Sequence, residues 1–374
     1  MELPDYITIS IPFSVNDERA KLIWWTSWYS KLCAHRLLND VKSNLELSNY
    51  SQASFLQYSR KRCYDILPNR RYIDGIATLI HSSLKSARKL GANIKELELD
   101  SWLLFQSEAE KVRYGNLNIR LTTSNKAEIL AFDKEKNPQK IVIDTVHIPK
   151  GYKKLVDVML EKSERKEIGY PARVVIKEYN AYSDRLYLYC QLQVMVPYAL
   201  YKEVMKRYDK PLSNLIAGID VNVDRLNLAI IDSKGNLRDK KTFWFDDIIS
   251  RGYKKKRAWS KINEEIHRLL NYAYNNGVST IVLENPKVVG YLRYYWINNG
   301  ERKGKSYNFK VSMFRNSLIE RIIYKAPLYS MDVAYVSPKG TTHSKGHDEI
   351  MRRFGLDRHT ASAYLIALKS LQLT

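Results

Sequence analysis

The run from Ile216 to Ile231 constrains this chain more than any other stretch. Apolar residues lead from Ile216 to Ile219, a carboxylate interrupts at Asp220, and a second apolar run, Leu226–Ile231, follows. Asp232, Ser233, Lys234 and Gly235 then supply turn chemistry. The expectation is a buried strand carrying an acid, followed by more strand. A charge on a core strand is costly unless something neutralises it. The rest of the sequence must therefore supply a partner for Asp220.

The surrounding order is α/β. From Ser213 the pattern predicts strands near Ile216–Val223, Leu226–Ile231 and Lys241–Phe245. A helix is expected over Arg257–Asn276, where Ala258, Ile262, Ile266, Leu269 and Ala273 recur at threes and fours and Gly277 closes the run. The short apolar strand Ser279–Glu284 again ends in an acid, and Asn285-Pro286 stops it. A helix over Val311–Lys325, a strand over Asp332–Val336 and a last helix from Leu356 complete a mixed sheet covered by helices.

The first half reads differently. A β-rich stretch at residues 5–13 precedes helical segments from about Val15, over Gln52–Ile66, and over Tyr72–Leu90. The last of these sets Ile73, Ile76, Ala77, Ile80, Leu84 and Ala87 on one face. Between Lys95 and Pro197 short strands with polar turns fit a small barrel. Tyr198–Leu212 reads as a connection. The expected domains are 1–14 with 93–212, a helical insertion at 15–92, and 213–374.

Charge narrows the partners. The 61 Lys and Arg against 40 Asp and Glu give a net charge of +21, which calls for a polyanion, most simply nucleic acid. The excess is spread along the chain, so a grooved body fits better than a basic tail. Candidate phosphate contacts are Arg70, Arg71, Lys85 and Arg88 around the third helix, then Lys254, Lys255 and Lys256, and Arg302, Lys303 and Lys305. A solvated helical face is the plain alternative for the first group. No apolar run is long enough to span a bilayer, and the N-terminus lacks a signal-like pattern, so a cytoplasmic protein without a membrane partner is expected. Cys33, Cys63 and Cys190 form no Cys-x-x-Cys; reduced, buried thiols and no zinc are expected.

Asp220 and Glu284 share one logic: an acid in, or at the end of, an apolar strand, where a rigid backbone can aim it. A third acid, Asp357, opens the last helix, with Ala361, Tyr364 and Leu368 on its face. An ordinary helix cap is the plain reading of Asp357, and a strand-end or loop acid that of the other two. Three converging carboxylates would repel one another unless cations intervene. Hard oxygen ligands suit Mg²⁺ or Mn²⁺, and two such ions about 3.5–4 Å apart serve phosphodiester hydrolysis.

Residues Asn214–Asp232, Val278–Pro286 and Gly355–Ala363 resemble the three split RuvC motifs of TnpB/OrfB proteins of insertion sequences, relatives of type V CRISPR effectors. Asn308–Ala326, Val333–Thr342, Pro171–Val196 and Asn69–Leu90 are also similar to that family. The resemblance implies an α+β multidomain protein. A β-barrel-like wedge domain with a helical recognition lobe would precede an RNase H-like (RuvC) α/β nuclease domain. It implies an RNA-guided DNA endonuclease with Asp220, Glu284 and Asp357 as catalytic metal ligands, Mg²⁺ or Mn²⁺ as two-ion cofactor, and a noncoding guide RNA and target DNA as partners.

The chain departs from that pattern in three places. The zinc ribbon before the third motif is missing, leaving a degenerate insert near 337–355. His343 and His347 lie there, and a solvated loop is the expectation for both. Asn222 replaces a common glycine, and the third motif reads Asp357-Arg358-His359. His359 reads as a surface histidine of the first helical turn, or as a residue beside the third carboxylate that tunes metal affinity or shuttles a proton. Two alternatives stand beside the nuclease. One is a guide-dependent DNA-binding protein that does not cut, such as a repressor or transposition regulator. The other is an unguided RNase H-fold nuclease, which leaves the additional residues before Asp220 unexplained.

Overall fold

The computed structural model describes the chain except residues 1–4, 90–92, 100–102, 124, 145–146, 183–184, 250–253, 286–296, 300–305, 338–344 and 373–374. In chain order its elements begin with β1 (Tyr6–Asn16), α1 (Asp17–Ser43), α2 (Gln52–Cys63), α3 (Arg70–Lys89), β2 (Leu97–Leu99) and β3 (Leu103–Ser107). Then come β4 (Ile119–Thr123), β5 (Lys126–Phe132), β6 (Pro138–Ile143), α4 (Lys153–Glu164), β7 (Ala172–Tyr182), β8 (Arg185–Pro197) and α5 (Tyr198–Val204). The second half has β9 (Leu215–Val221), β10 (Arg225–Ile231), β11 (Leu237–Trp244), α6 (Lys255–Asn275), β12 (Val278–Glu284) and β13 (Ile297–Asn299). It ends with α7 (Ser306–Lys325), β14 (Asp332–Val336), α8 (Lys345–Phe354) and α9 (Arg358–Leu371).

These elements form two compact units. One holds the described residues of 6–204 together with β13; the other holds Asp5 and the described residues of 205–289 and 302–374. In the first, β1, β8, β7 and β3 form an antiparallel sheet in that order, and β4, β5 and β6 form a second. With the β2–β13 pair, the pairings among the described residues are those of three open sheets. β1 alternates buried and exposed residues along its length, as a strand with one face on a core must. α3 buries Tyr72, Ile73, Ile76, Ala77, Ile80, Leu84 and Ala87. The same helix buries Asp74, which a two-pronged contact from Arg60 at 2.6 and 2.9 Å neutralises. Cys33, Cys63 and Cys190 are free and buried, as the cysteine spacing suggests. β13 pairs antiparallel with β2, which ties a strand from late in the chain to this unit.

The second unit is built on a five-stranded sheet in the order β11-β10-β9-β12-β14. β9 pairs antiparallel with β10 and parallel with β12, and β12 pairs parallel with β14. β10 is thus the one reversed strand, the order and sense of an RNase H-like sheet. Both faces are covered, so the strands read as apolar runs rather than alternations. On one face Ile216 and Gly218 of β9, Ala229 and Ile231 of β10 and Val282 of β12 meet α9 through Ala363, Ala367 and Ile366. The reverse face, with Ala217, Ile219, Leu228, Ile230, Ile281 and Leu283, is buried as well. The β10–β11 turn follows from Asp232. Its carboxylate accepts from the backbone of Lys234 and Asn236 at 2.9 Å each, and from Arg238 at 2.6 Å. No helix among the described residues is long and apolar enough to cross a membrane.

Candidate active site

Asp220 lies one residue from the end of β9, on the sheet face that α9 covers, and is 7% exposed. The parallel register sets Leu283 opposite Ile219, so Glu284, the last residue of β12, falls beside Asp220. Both acids therefore stand at the carboxyl ends of neighbouring parallel strands, on one face.

Three groups meet Asp220. The Asn222 amide donates to Oδ2 at 2.8 Å, and His359 Nδ1 lies 3.0 Å from the same oxygen. The Arg315 guanidinium of α7 lies 3.9 Å from Oδ1, and the same Nη2 is 3.6 Å from Glu284 Oε2. One cation thus faces both carboxylates. Nothing in the sequence marks Arg315: it is one basic residue of several on a helix, and its role depends on the fold.

Asp357 is the N-cap of α9. Its Oδ1 accepts from the backbone of His359 at 2.9 Å and Thr360 at 3.1 Å, and its Oδ2 accepts from the Thr360 hydroxyl at 2.5 Å. Burial alone would raise its pKa; the bonds from Thr360 and His359 outweigh that and hold the carboxyl below its ordinary range. The plain reading of Asp357 as a cap is correct, and it does not exclude a second role. A carboxylate offers about four lone-pair positions, and three are filled here. The cap is tied to Asp220 twice: through the His359 ring, and through Thr360, whose hydroxyl oxygen accepts from Asn227 at 3.3 Å. Asn227 is the ladder partner of Asp220 on β10.

A divalent cation fits part of this set. Mg²⁺ is commonly held by one or two carboxylates with water and substrate phosphate. Asp220 and Glu284, already sharing one positive group, meet that need. Among the described residues no three His, Cys, Asp or Glu side chains come together closely enough to hold one ion. Asp357 is linked to Asp220 through His359 and through the Thr360–Asn227 contact.

Two histidine expectations need correcting. His359 is not a plain surface residue; its ring is fixed on Asp220. His347 is not in a solvated loop. It lies on α8, 2% exposed, with Nε2 donating to the Arg358 carbonyl at 3.0 Å and 3.2 Å from the Ser362 hydroxyl. It fastens α8 to α9, so the insert is partly a packed helix. His343 lies outside the described residues.

The basic candidates divide. Arg71 pairs with Glu110 at 3.0 Å, Arg70 approaches Asp74 at 3.9 Å, and Arg88 donates to the Ser48 carbonyl at 2.9 Å. Lys85, Lys254 and Lys256 are exposed. The Lys255 side chain, Arg302, Lys303 and Lys305 lie outside the described residues.

Known proteins similar to this chain carry one clear family. An uncharacterized protein of Aeropyrum pernix is 41% identical over 98% of this chain and 97% of its own length. The uncharacterized protein SSO2105 of Saccharolobus solfataricus is 30% identical over 83% of this chain and 80% of its own. Among solved structures, a Cas12f1–sgRNA–target DNA complex aligns at a TM-score of 0.49 with 13% identity, covering 94% of this chain and 83% of that one. Thermus thermophilus RuvC with a Holliday junction substrate aligns at 0.31 with 15% identity, covering 43% and 95%. The family model described as the SSO2105 N-terminal domain matches residues 6–206. With that match and these relatives, the chain belongs to the SSO2105 family.

Proposed function

We propose that this protein is a RuvC-type, divalent-cation-dependent DNA endonuclease related to TnpB, directed to its target by a guide RNA. The observation that carries the reading is the pairing of Asp220 and Glu284 on adjacent parallel strands of the β11-β10-β9-β12-β14 sheet, under a helix capped by Asp357. Asp220 and Glu284 would hold the cation, with Asp357 beside them for a second. Bound there, divalent cations supply an activated water and stabilise the leaving oxygen in phosphodiester hydrolysis. Asn222 and His359 both hold Oδ2 of Asp220, which leaves Oδ1 toward Arg315. The net charge of +21 supports a nucleic-acid partner, and guidance rests on the resemblance to the TnpB/OrfB motifs. Lys85, Lys254 and Lys256 are the better candidates for phosphate contact.

The test is cleavage of a matched duplex in Mg²⁺ by protein purified with its co-expressed RNA. Asp220→Ala should lower the rate by more than the roughly 100-fold that loss of a supporting partner costs. Equal rates for variant and wild type would end the nuclease reading. A second reading, guide-dependent binding without cleavage, is favoured by Arg315 facing both acids and by the capping role of Asp357. Guide-dependent binding with no product in Mg²⁺ or Mn²⁺ selects it.

A further inference from the structure

We infer that Arg315 is an internal counter-ion occupying the cation seat between Asp220 and Glu284, and that a divalent ion binds there by displacing it. This rests on the proposed assignment of those two acids as cation ligands. Neighbouring strands lie about 4.8 Å apart, so two carboxylates at adjacent positions on one face repel each other strongly. Arg315 offsets that repulsion, but loosely. Its contacts of 3.9 and 3.6 Å exceed the roughly 2.7–2.9 Å of a charge-assisted hydrogen bond.

The same protein makes tight arginine–aspartate pairs elsewhere. Arg60 reaches Asp74 at 2.6 Å, Arg62 reaches Asp40 at 2.8 Å, Arg36 reaches Asp65 at 2.7 Å and Arg238 reaches Asp232 at 2.6 Å. Each of those guanidiniums is locked on its carboxylate. Arg315 instead straddles two acids at 3.9 and 3.6 Å without seating on either, so it can swing away. The other partners of Asp220, Asn222 and His359, both hold Oδ2 and leave Oδ1 turned to Arg315.

Coulomb attraction scales with charge over distance. A divalent ion seated at about 2.1 Å attracts a carboxylate far more strongly than a guanidinium beyond 3.5 Å. It must first overcome the repulsion of the resident positive charge. Arg315 therefore sets how much divalent cation the site needs before it fills, and keeps the two acids balanced when it is scarce.

The experiment measures Mn²⁺ binding to metal-stripped, full-length protein by the electron paramagnetic resonance signal of free Mn²⁺. Thermal melting is followed in parallel, with and without Mn²⁺. Arg315→Gln and Arg315→Met should bind Mn²⁺ at least about tenfold more tightly than wild type, equivalent to about 1.4 kcal/mol. Arg315→Lys, which keeps the charge, should bind within about threefold of wild type. Stripped Arg315→Gln should melt below stripped wild type, and the gap should close in saturating Mn²⁺. Equal or weaker Mn²⁺ binding by the neutral variants, with binding abolished by Asp220→Asn, overturns the role of Arg315 and leaves the metal-site reading intact. Mn²⁺ binding that Asp220→Asn does not alter, or none at all, removes the metal-site reading and this inference with it.

Discussion

Gly218 decides how closely α9 can lie on the sheet. A Cβ at this position would come within 2.1 Å of the Ala363 carbonyl oxygen and 2.6 Å of the Ala367 nitrogen. Both are backbone atoms of α9, so the whole helix would have to lift. The same helix carries Asp357, His359 and Thr360, so the lift would also loosen their hold on Asp220 and Asn227. Overpacking of this kind costs about 1–3 kcal/mol, more when backbone must move. Gly218→Ala should therefore lower the melting temperature by several degrees in thermal denaturation. Gly235→Ala is the comparison. There the nearest atom, 2.8 Å away, ends a flexible leucine, and the cost comes from a φ of +82° in a turn. If Gly218→Ala melts like wild type, the close approach of α9 does not determine the site.

The elements of the second unit that support the site are joined by a polar contact with its own pH dependence. His267 of α6 accepts from Lys325 Nζ of α7 at 2.7 Å through Nε2, which leaves Nδ1 to donate to the Tyr329 hydroxyl at 3.0 Å. Burial lowers the histidine pKa first, and the Lys325 charge lowers it further. A histidine held below its ordinary 6.5 stabilises the fold fully above that value. As pH falls below 6.5 the unfolded chain takes up the proton first, and the stability is lost progressively toward the lower folded value. Wild type should lose melting temperature between about pH 7 and 5, and His267→Gln should lose less over the same range, read by melts across pH.

Such tertiary contacts also explain which elements the sequence discloses. β9, β10, β12 and β14 are readable because burial on both faces forces unbroken apolar runs. An acid ending such a run stands out, and so Asp220 and Glu284 were accessible. α4 was not: only Leu155, Val156, Met159 and Ser163 of its twelve residues are buried. α8 is mostly charged and polar, and its Ile350, Met351 and Phe354 gain meaning only against α9. The β2–β13 pair joins residues far apart in the chain and has no local signature. Arg315 and His347 fall in the same class, since each acts through a neighbour that only the fold supplies.

At the scale of the whole molecule, the sequence boundary expected at 212/213 and the structural division after residue 204 bracket one short connector. The family match, ending at residue 206, falls in the same place. The early part of the connector already belongs to the second unit. The Arg207 N–H donates to the Leu328 carbonyl at 2.9 Å, and Tyr208 stacks on Tyr329 with centroids 4.8 Å apart. Ser213 at the far end is anchored, its hydroxyl donating to the Gly277 carbonyl at 2.7 Å. Between these ties Leu212 is fully exposed and in no strand or helix. Exposed backbone outside regular structure is where proteases cut. Chymotrypsin should therefore cleave early after Leu212, giving a fragment that begins at Ser213, identified by mass spectrometry. Tyr179, 63% exposed but paired with Leu188 in the β7–β8 ladder, should resist by comparison. Because the five-stranded sheet is formed entirely by residues after 214, the Ser213 fragment should keep a cooperative melt. Early cleavage inside β8 or β9, or a fragment that melts without cooperativity, would show that the two units do not fold as separate bodies.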